Sequence, residues 1–304
     1  MRKSEPIATQ SSPNSDQATN SAFDYRHPRS GLVAFLAERI LNSSALIQLR
    51  RLLIGWLPFV RLKSDVTNVV YLNWVIPAES VAHLVPDGVR LLEIHGKTIL
   101  SVLTYKHGHF APAVLGPLRR LFPSPHQSNW RLYVDRINEE PLQQPTVLFF
   151  MNCTDSLLYA AGARMFSDTL PCHLARAIRH SRTDDEIQTT IDPGDGSAAE
   201  LTCTAEFVDE KELPAAFRSL FTDWNTALEF LCYQDAAVCD ALATNCLAFS
   251  EIGLPIDISQ VQPLAVKGEA MKSKWLASIV KDAPPFCFVI ERVQFQALSD
   301  KLLK

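Results

Sequence analysis

From Val66 to the C-terminus the sequence is dominated by short runs of β-branched and aromatic residues, and this constrains the fold more than any other feature. VTNVVYLNWVIP opens the stretch and PPFCFVIERVQFQAL closes it, so strands stand at both ends. Between them, VRLLEIH and TILSVLTYKH flank a turn at His95-Gly96-Lys97 and read as a hairpin, preceded by a short helix near Ala78 to Leu84. Further strands are expected at 130–137, 146–153, 172–180, 186–192 and 199–208, the last two joined by the turn cluster Pro193-Gly194-Asp195-Gly196-Ser197. Helices are expected from Asp155, as cap, to Phe166, and over Trp224 to Phe249, where Thr222 or Asp223 would cap a long helix. No repeat and no linker divides the stretch, which reads as one β-rich domain over residues 66–304.

Ahead of it lie two segments of different character. Residues 1–30 are rich in Ser, Asn, Gln and Pro, carry too little apolar surface to offset the entropy of ordering, and read as a disordered tail. They contain no apolar stretch of the kind a secretory signal needs. Residues 31–65 form a basic helical lead-in, two short helices broken around Asn42-Ser43-Ser44, with Arg39, Arg50, Arg51, Arg61 and Lys63 among the leucines. Such a segment either packs across the following domain or lies on an anionic membrane surface. Its longest uncharged run, Leu52 to Val60, falls far short of the roughly 20 residues that span a bilayer.

With 29 basic and 33 acidic residues the net charge is -4, which argues against bulk attraction to nucleic acid. Seven cysteines without a CxxC pair read as reduced thiols of a cytoplasmic protein. Cys232, Cys239 and Cys246 recur every seven residues and, on one helix, would form a buried stripe rather than a metal site. No metal is expected, and no cofactor either: GxGxxG, GxxxxGK[ST] and GxSxG are all absent.

Three places can carry chemistry. In Asn129-Trp130-Arg131-Leu132-Tyr133-Val134, strand alternation puts Asn129, Arg131 and Tyr133 on one polar face and Trp130, Leu132 and Val134 on the apolar one. A buried Arg131 would need an anionic partner or ligand; on a solvated face, or in an internal ion pair, it needs neither. Arg164, His173 and Arg176 flank a Pro turn and can converge on a carboxylate, with His173 moving protons; equally, Arg164 can cap a helix end and His173 be structural. Lys106-His107-Gly108-His109 has two histidines but no further ligand set, and reads as a loop.

In order along the chain, Asn73-Trp74-Val75-Ile76-Pro77, Leu84-Val85-Pro86-Asp87-Gly88, Asn129 to Val134, Ala163-Arg164 and Leu170-Pro171 resemble the uncharacterised YqjF-like family, which is distantly similar to acetoacetate decarboxylase. The resemblance runs from about residue 66 to the C-terminus. It implies an α+β, mostly β fold: an acetoacetate decarboxylase-like antiparallel β-barrel with helices packed outside and a largely apolar cavity within. The decarboxylases use a lysine that forms a Schiff base with a 3-oxo acid. On the strand that corresponds to theirs this chain has Arg131, which stays protonated and forms no imine. Cys172 stands where the family has an aromatic residue after Leu-Pro, and Gln127 where it often has an acid.

The expected function is therefore a small-molecule pocket for an organic or oxo acid. Arg131 would anchor the acid, Asn129, Tyr133, Arg164 and His173 would orient it, and His173 and Tyr133 are the candidates for lyase-like or hydrolase-like chemistry. The alternatives are a non-catalytic binding or sensing module of the same fold, and a peripheral membrane or interaction protein acting through residues 31–63.

Overall fold

The computed structural model describes residues 24–267, 271–281 and 283–303. Its strands, numbered in chain order, are β1 (Leu62–Pro77), β2 (Val89–Leu91), β3 (Lys97–Lys106), β4 (Ala111–Pro112), β5 (His126–Ile137), β6 (Glu140–Thr154), β7 (Cys172–Leu174), β8 (Ala177–Arg182), β9 (Glu186–Asp192), β10 (Leu201–Phe207), β11 (Ala236–Asp240), β12 (Leu247–Gly253), β13 (Gln262–Val266), β14 (Phe286–Ala297) and β15 (Lys301–Leu302). The helices are α1 (Leu32–Leu41), α2 (Ser44–Ile54), α3 (Leu157–Phe166), α4 (Ala215–Arg218), α5 (Trp224–Cys232) and α6 (Lys274–Val280), with 3-10 turns over Ala78–Leu84 and Ala113–Leu121.

The strands at the two ends of the β-rich stretch pair with each other: β1 runs antiparallel to β14 from Leu62↔Ala297 to Asn73↔Phe286. From β1 the sheet passes through β3, β5, β6, β11 and β12, and β12 returns to β14 through Ile252↔Ala297 and Gly253↔Gln296. Seven strands thus close a ring, antiparallel except where β11 runs parallel to β6. The fold is α+β, mostly β, as expected. Closure leaves no open edge within the ring itself.

Both faces of the ring are covered. Inside, Tyr71 stacks on Phe288 at 4.6 Å, and Leu228, Leu231 and Cys232 of α5 pack among them, so that this helix stops one end. Outside, β13, β10, β9 and β8 continue the sheet from β14 and lie over the outward residues of β1, β3 and β5. Trp130, Leu132 and Val134 pack there with Ile187, Ile191, Leu201 and Leu276 of α6, rather than against helices alone.

Several expectations change. The long helix over 224–249 stops at Cys232, and the chain turns into β11 and β12. Ala236, Ala237, Val238 and Cys239 are buried on both faces, and a short apolar run of that kind has no period to separate strand from helix. The cysteine stripe dissolves with it: Cys232 lies on α5, Cys239 on β11 and Cys246 in the turn before β12. Cys232 and Cys239 are still core residues, through ring packing. Asp223 does cap α5, accepting from the Thr226 N–H at 2.9 Å. Asp155 caps nothing; its carboxylate takes the His126 N–H and the His126 ring. Residues 172–180 split into β7 and β8, and β2 pairs with β5, so that the expected hairpin keeps its turn at His95-Gly96 but only the single antiparallel bridge Ile94↔Lys97. The break between α1 and α2 falls at the expected residues. Of the expected tail, residues 1–23 lie outside the described residues, while Tyr25 is buried, its N–H donating to Asn42 Oδ1.

Candidate functional site

The end of the ring opposite α5 holds a cavity of about 420 Å³. Six ring strands supply its walls through Leu62, Tyr105, Asn129, Phe149, Ile252 and Phe295, and α3 crosses it with Leu158, Gly162 and Phe166. Inward strand positions are aromatic or aliphatic here because they continue the same alternation that fills the ring further down. Phe59 and Phe122 stand at its rim, from the segment before β1 and the end of the second 3-10 turn.

Its polar groups are few. Asn129 donates from Nδ2 to the Tyr105 hydroxyl at 3.0 Å, while its Oδ1 is buried without a partner among the described residues. Asn152, its partner on β6, also has a buried, unpartnered Oδ1 but does not line the cavity. Asp300 takes the Ser167 hydroxyl and the Asp168 N–H on one oxygen; burial, and then the neighbouring Asp168 charge, raises its pKa above the usual carboxylate value. Neither lysine nor arginine lines the cavity among the described residues.

His107 is the functional-looking residue that sequence reasoning passed over as loop. It is buried on the cavity wall, its ring stacked on Phe110 at 4.5 Å, with Nε2 2.9 Å from Gln127 Oε1 and Nδ1 2.8 Å from Ser64 Oγ. Gln127 Oε1 can only accept, so the proton sits on Nε2 and Nδ1 accepts from serine. Burial pushes the His107 pKa down to about 4, and the ring is neutral at pH 7. The following Gly108 lets the chain close on β1: a Cβ there would stand 2.6 Å from the Asp65 carbonyl oxygen. The one available signal was that His-Gly pair directly after a strand.

The expected site residues fall in three places. Arg131 and Tyr133 meet, on the same face of β5 as Asn129 but deeper in the ring, under α5. The Arg131 guanidinium, 2 % exposed, donates to the Leu231 carbonyl at 2.8 Å and lies 5.2 Å and 5.7 Å from the Tyr71 and Tyr133 rings. Tyr133 Oη is 3.0 Å from Ser101 Oγ, which donates to Asn73 Oδ1. Burial raises the Tyr133 pKa, so the phenol is protonated. The anionic partner expected for a buried Arg131 is replaced by a carbonyl and two aromatic faces.

Arg164 and His173 are elsewhere. Arg164 binds the end of α1 through the Leu41 carbonyl and Asn42 Oδ1, beneath the Tyr25 ring, and borders a separate polar cavity with Asp24, Asp87 and Asp240. His173 is fully buried with Nδ1 2.7 Å from Ser197 Oγ; burial, and secondarily the Arg164 charge, lowers its pKa to about 3. Arg176 pairs with Asp192 near the surface. Arg131 and Arg164 share no cavity.

Comparison with known proteins places this geometry. Acetoacetate decarboxylase from Legionella pneumophila superposes with a TM-score of 0.54 over 80% of this chain and 87% of its own, at 10% identity. The enduracididine biosynthesis enzyme MppR complexed with pyruvate gives 0.53 over 81% and 91%, also at 10% identity. An acetoacetate decarboxylase-like enzyme from Sphingomonas wittichii RW1 gives 0.51 over 81% and 94%, at 8% identity. At these identities the likeness is one of fold. No curated protein matches the sequence. Residues 63–235, more than half of the chain and the part that carries β1 through α5, match a family described as an uncharacterized conserved protein; the chain belongs to that family, DUF2071.

Proposed function

We propose that this protein binds a small molecule with an apolar body and one short hydrogen-bonding head, held in the ring cavity with the head at Asn129. The observation that carries the reading is the pairing of an apolar, aromatic-walled cavity of about 420 Å³ with a single buried amide that has an unpartnered edge. Ligand sites of this size are mostly apolar, with a few placed polar groups that set orientation. Relatives of the same fold hold small molecules: MppR is complexed with pyruvate, and also with the condensation product of pyruvate and imidazole 4-carboxaldehyde.

The lining narrows the class. A small ionised oxo acid would bury its charge beside Asp300 with no cation in contact, which is costly. An acid in its neutral form, a hydroxy compound or an amide with a long apolar body meets the walls and the head group alike. Schiff-base chemistry finds no amine on the walls, and His107 spends both ring nitrogens on Gln127 and Ser64. Binding without turnover at that histidine is the reading these contacts support.

Gly162 supplies the test. It lines the cavity on α3, and a Cβ built there meets no atom within 4 Å. Gly162→Leu should fill the space, leave the fold intact by circular dichroism and raise the melting temperature, since glycine inside a helix costs about 0.5–1 kcal/mol relative to alanine. In a thermal-shift screen of fatty acids, hydroxy acids, oxo acids and fatty alcohols, a ligand at 100 times its Kd should add about 2.7 kcal/mol to the wild type and nothing to Gly162→Leu. Equal shifts in both proteins, or no shift in either, would defeat the cavity reading.

A further inference from the structure

The rim of the cavity continues into an apolar surface that nothing in the protein covers among the described residues. Leu52, Leu53 and Trp56 at the end of α2 project outward, as do Leu118 and Leu121 of the second 3-10 turn; Leu52 is 77%, Trp56 76% and Leu121 82% exposed. These segments are tied together. The Ala113 N–H donates to the Arg61 carbonyl, Leu62 pairs with Pro112, and Arg50 and Arg51 clasp Asp168 beyond α3. Phe59, Phe122 and Phe166, from the same three regions, line the cavity at its mouth. Exposed apolar surface on this scale marks an interaction site.

The charges around it choose the occupant. Residues 31–63 hold five basic side chains against Glu38 alone, and the stretch 113–122 adds Arg119 and Arg120 with no acid. Arg50, Arg51 and Arg119 are used internally, on Asp168 and Asp65. Arg61, Lys63 and Arg120 make no ion pair among the described residues and flank Val60 and Leu121, two of the exposed apolar residues. A second copy brought face to face would set like charges opposite each other. Residues 1–23 have only Met1, Ile7 and Phe23 as large apolar side chains to lay over the surface. Anionic lipid headgroups match the basic residues, and the acyl boundary matches the leucines and the exposed Trp56. No single described helix is long and apolar enough to cross a membrane; α1 and α2 reach that length only as a pair bent by 55°.

We propose that this face docks the protein peripherally on an anionic membrane, with the cavity mouth turned toward the lipid. The docking surface stands on its own residues; delivery of a ligand from bilayer to cavity rests additionally on the binding function proposed above. The full chain is tested by flotation with vesicles of phosphatidylcholine plus phosphatidylserine and with phosphatidylcholine alone. Binding should favour the anionic vesicles and weaken with salt, and Trp56 emission should be quenched by bromine-labelled acyl chains. Arg61→Glu/Arg120→Glu should weaken partitioning by roughly tenfold or more, as should Leu52→Asp/Leu121→Asp, both with unchanged circular dichroism. Gly162→Leu should dock like the wild type, so failure of the cavity reading is seen separately from failure of this one. No binding to anionic vesicles, equal binding by all variants, or a dimer that these substitutions convert to monomer would overturn the proposal.

Discussion

Arg131 is the residue whose role the surroundings change most. A buried guanidinium is expected to face a carboxylate, yet here the Leu231 carbonyl and the rings of Tyr71 and Tyr133 take its place. Arg131→Ala would leave a void beneath α5 and an unpaired carbonyl, and should cost about 3 kcal/mol or more in urea denaturation. Arg131→Met keeps most of the volume and buries no charge, so it should recover at least about 1 kcal/mol of that loss. If Arg131→Met keeps the wild-type stability but loses the thermal shift, Arg131 acts on the ligand after all. The strand face that joins it to Asn129 and Tyr133 was readable from alternation alone; what it touches was not, because Leu231 is 100 residues away in sequence.

Elements were legible where their pattern had a period and illegible where it did not. Strands β9 and β10 lie within two residues of where the residues put them, β1 and β5 begin four residues early, at Leu62 and His126, and of the two expected caps of α5 it is Asp223 that serves. The Ala-Ala-Val-Cys run of β11 has neither alternation nor a helical stripe, and only its partners β6 and β12 decide that it is a strand. The α1–α2 pair was legible as helices but not as to its anchor. Asp168 accepts from both Arg50 and Arg51, with side chains only 12% to 16% exposed. Asp168→Ala should cost roughly 1–3 kcal/mol, release α2 to faster amide exchange and proteolysis, and leave exchange in β1, β3 and β5 as in the wild type.

At the scale of the molecule, two buried histidines, His107 and His173, and the half-buried His180 sit in different parts of the structure and titrate over one pH window. Burial lowers the pKa of His107 to about 4, of His180 to about 4 and of His173 to about 3, against an ordinary value of 6.5. Between about pH 6.5 and 4 the unfolded chain binds these protons and the folded chain does not, so stability rises with pH across that window. Acidification should therefore destabilise the protein by up to about 1.4 kcal/mol per pH unit for each histidine, with the loss beginning near pH 6.5 and levelling below the folded values. Replacing His107 by Gln should flatten the urea-midpoint profile over that window; an unchanged slope would show that its ring is not buried neutral.

The pairing of β14 with β1, β12 and β13 has a consequence for biosynthesis. While the chain is still emerging from the ribosome, β1 through β12 can be present in full and the ring still stands open, with β1 and β12 offering unpaired backbone. Closure waits for residues 286–297, more than 200 residues after the strand they must find. Such late, distant pairing is slow and leaves the edges of β1 and β12 exposed until residues 286–297 have been made.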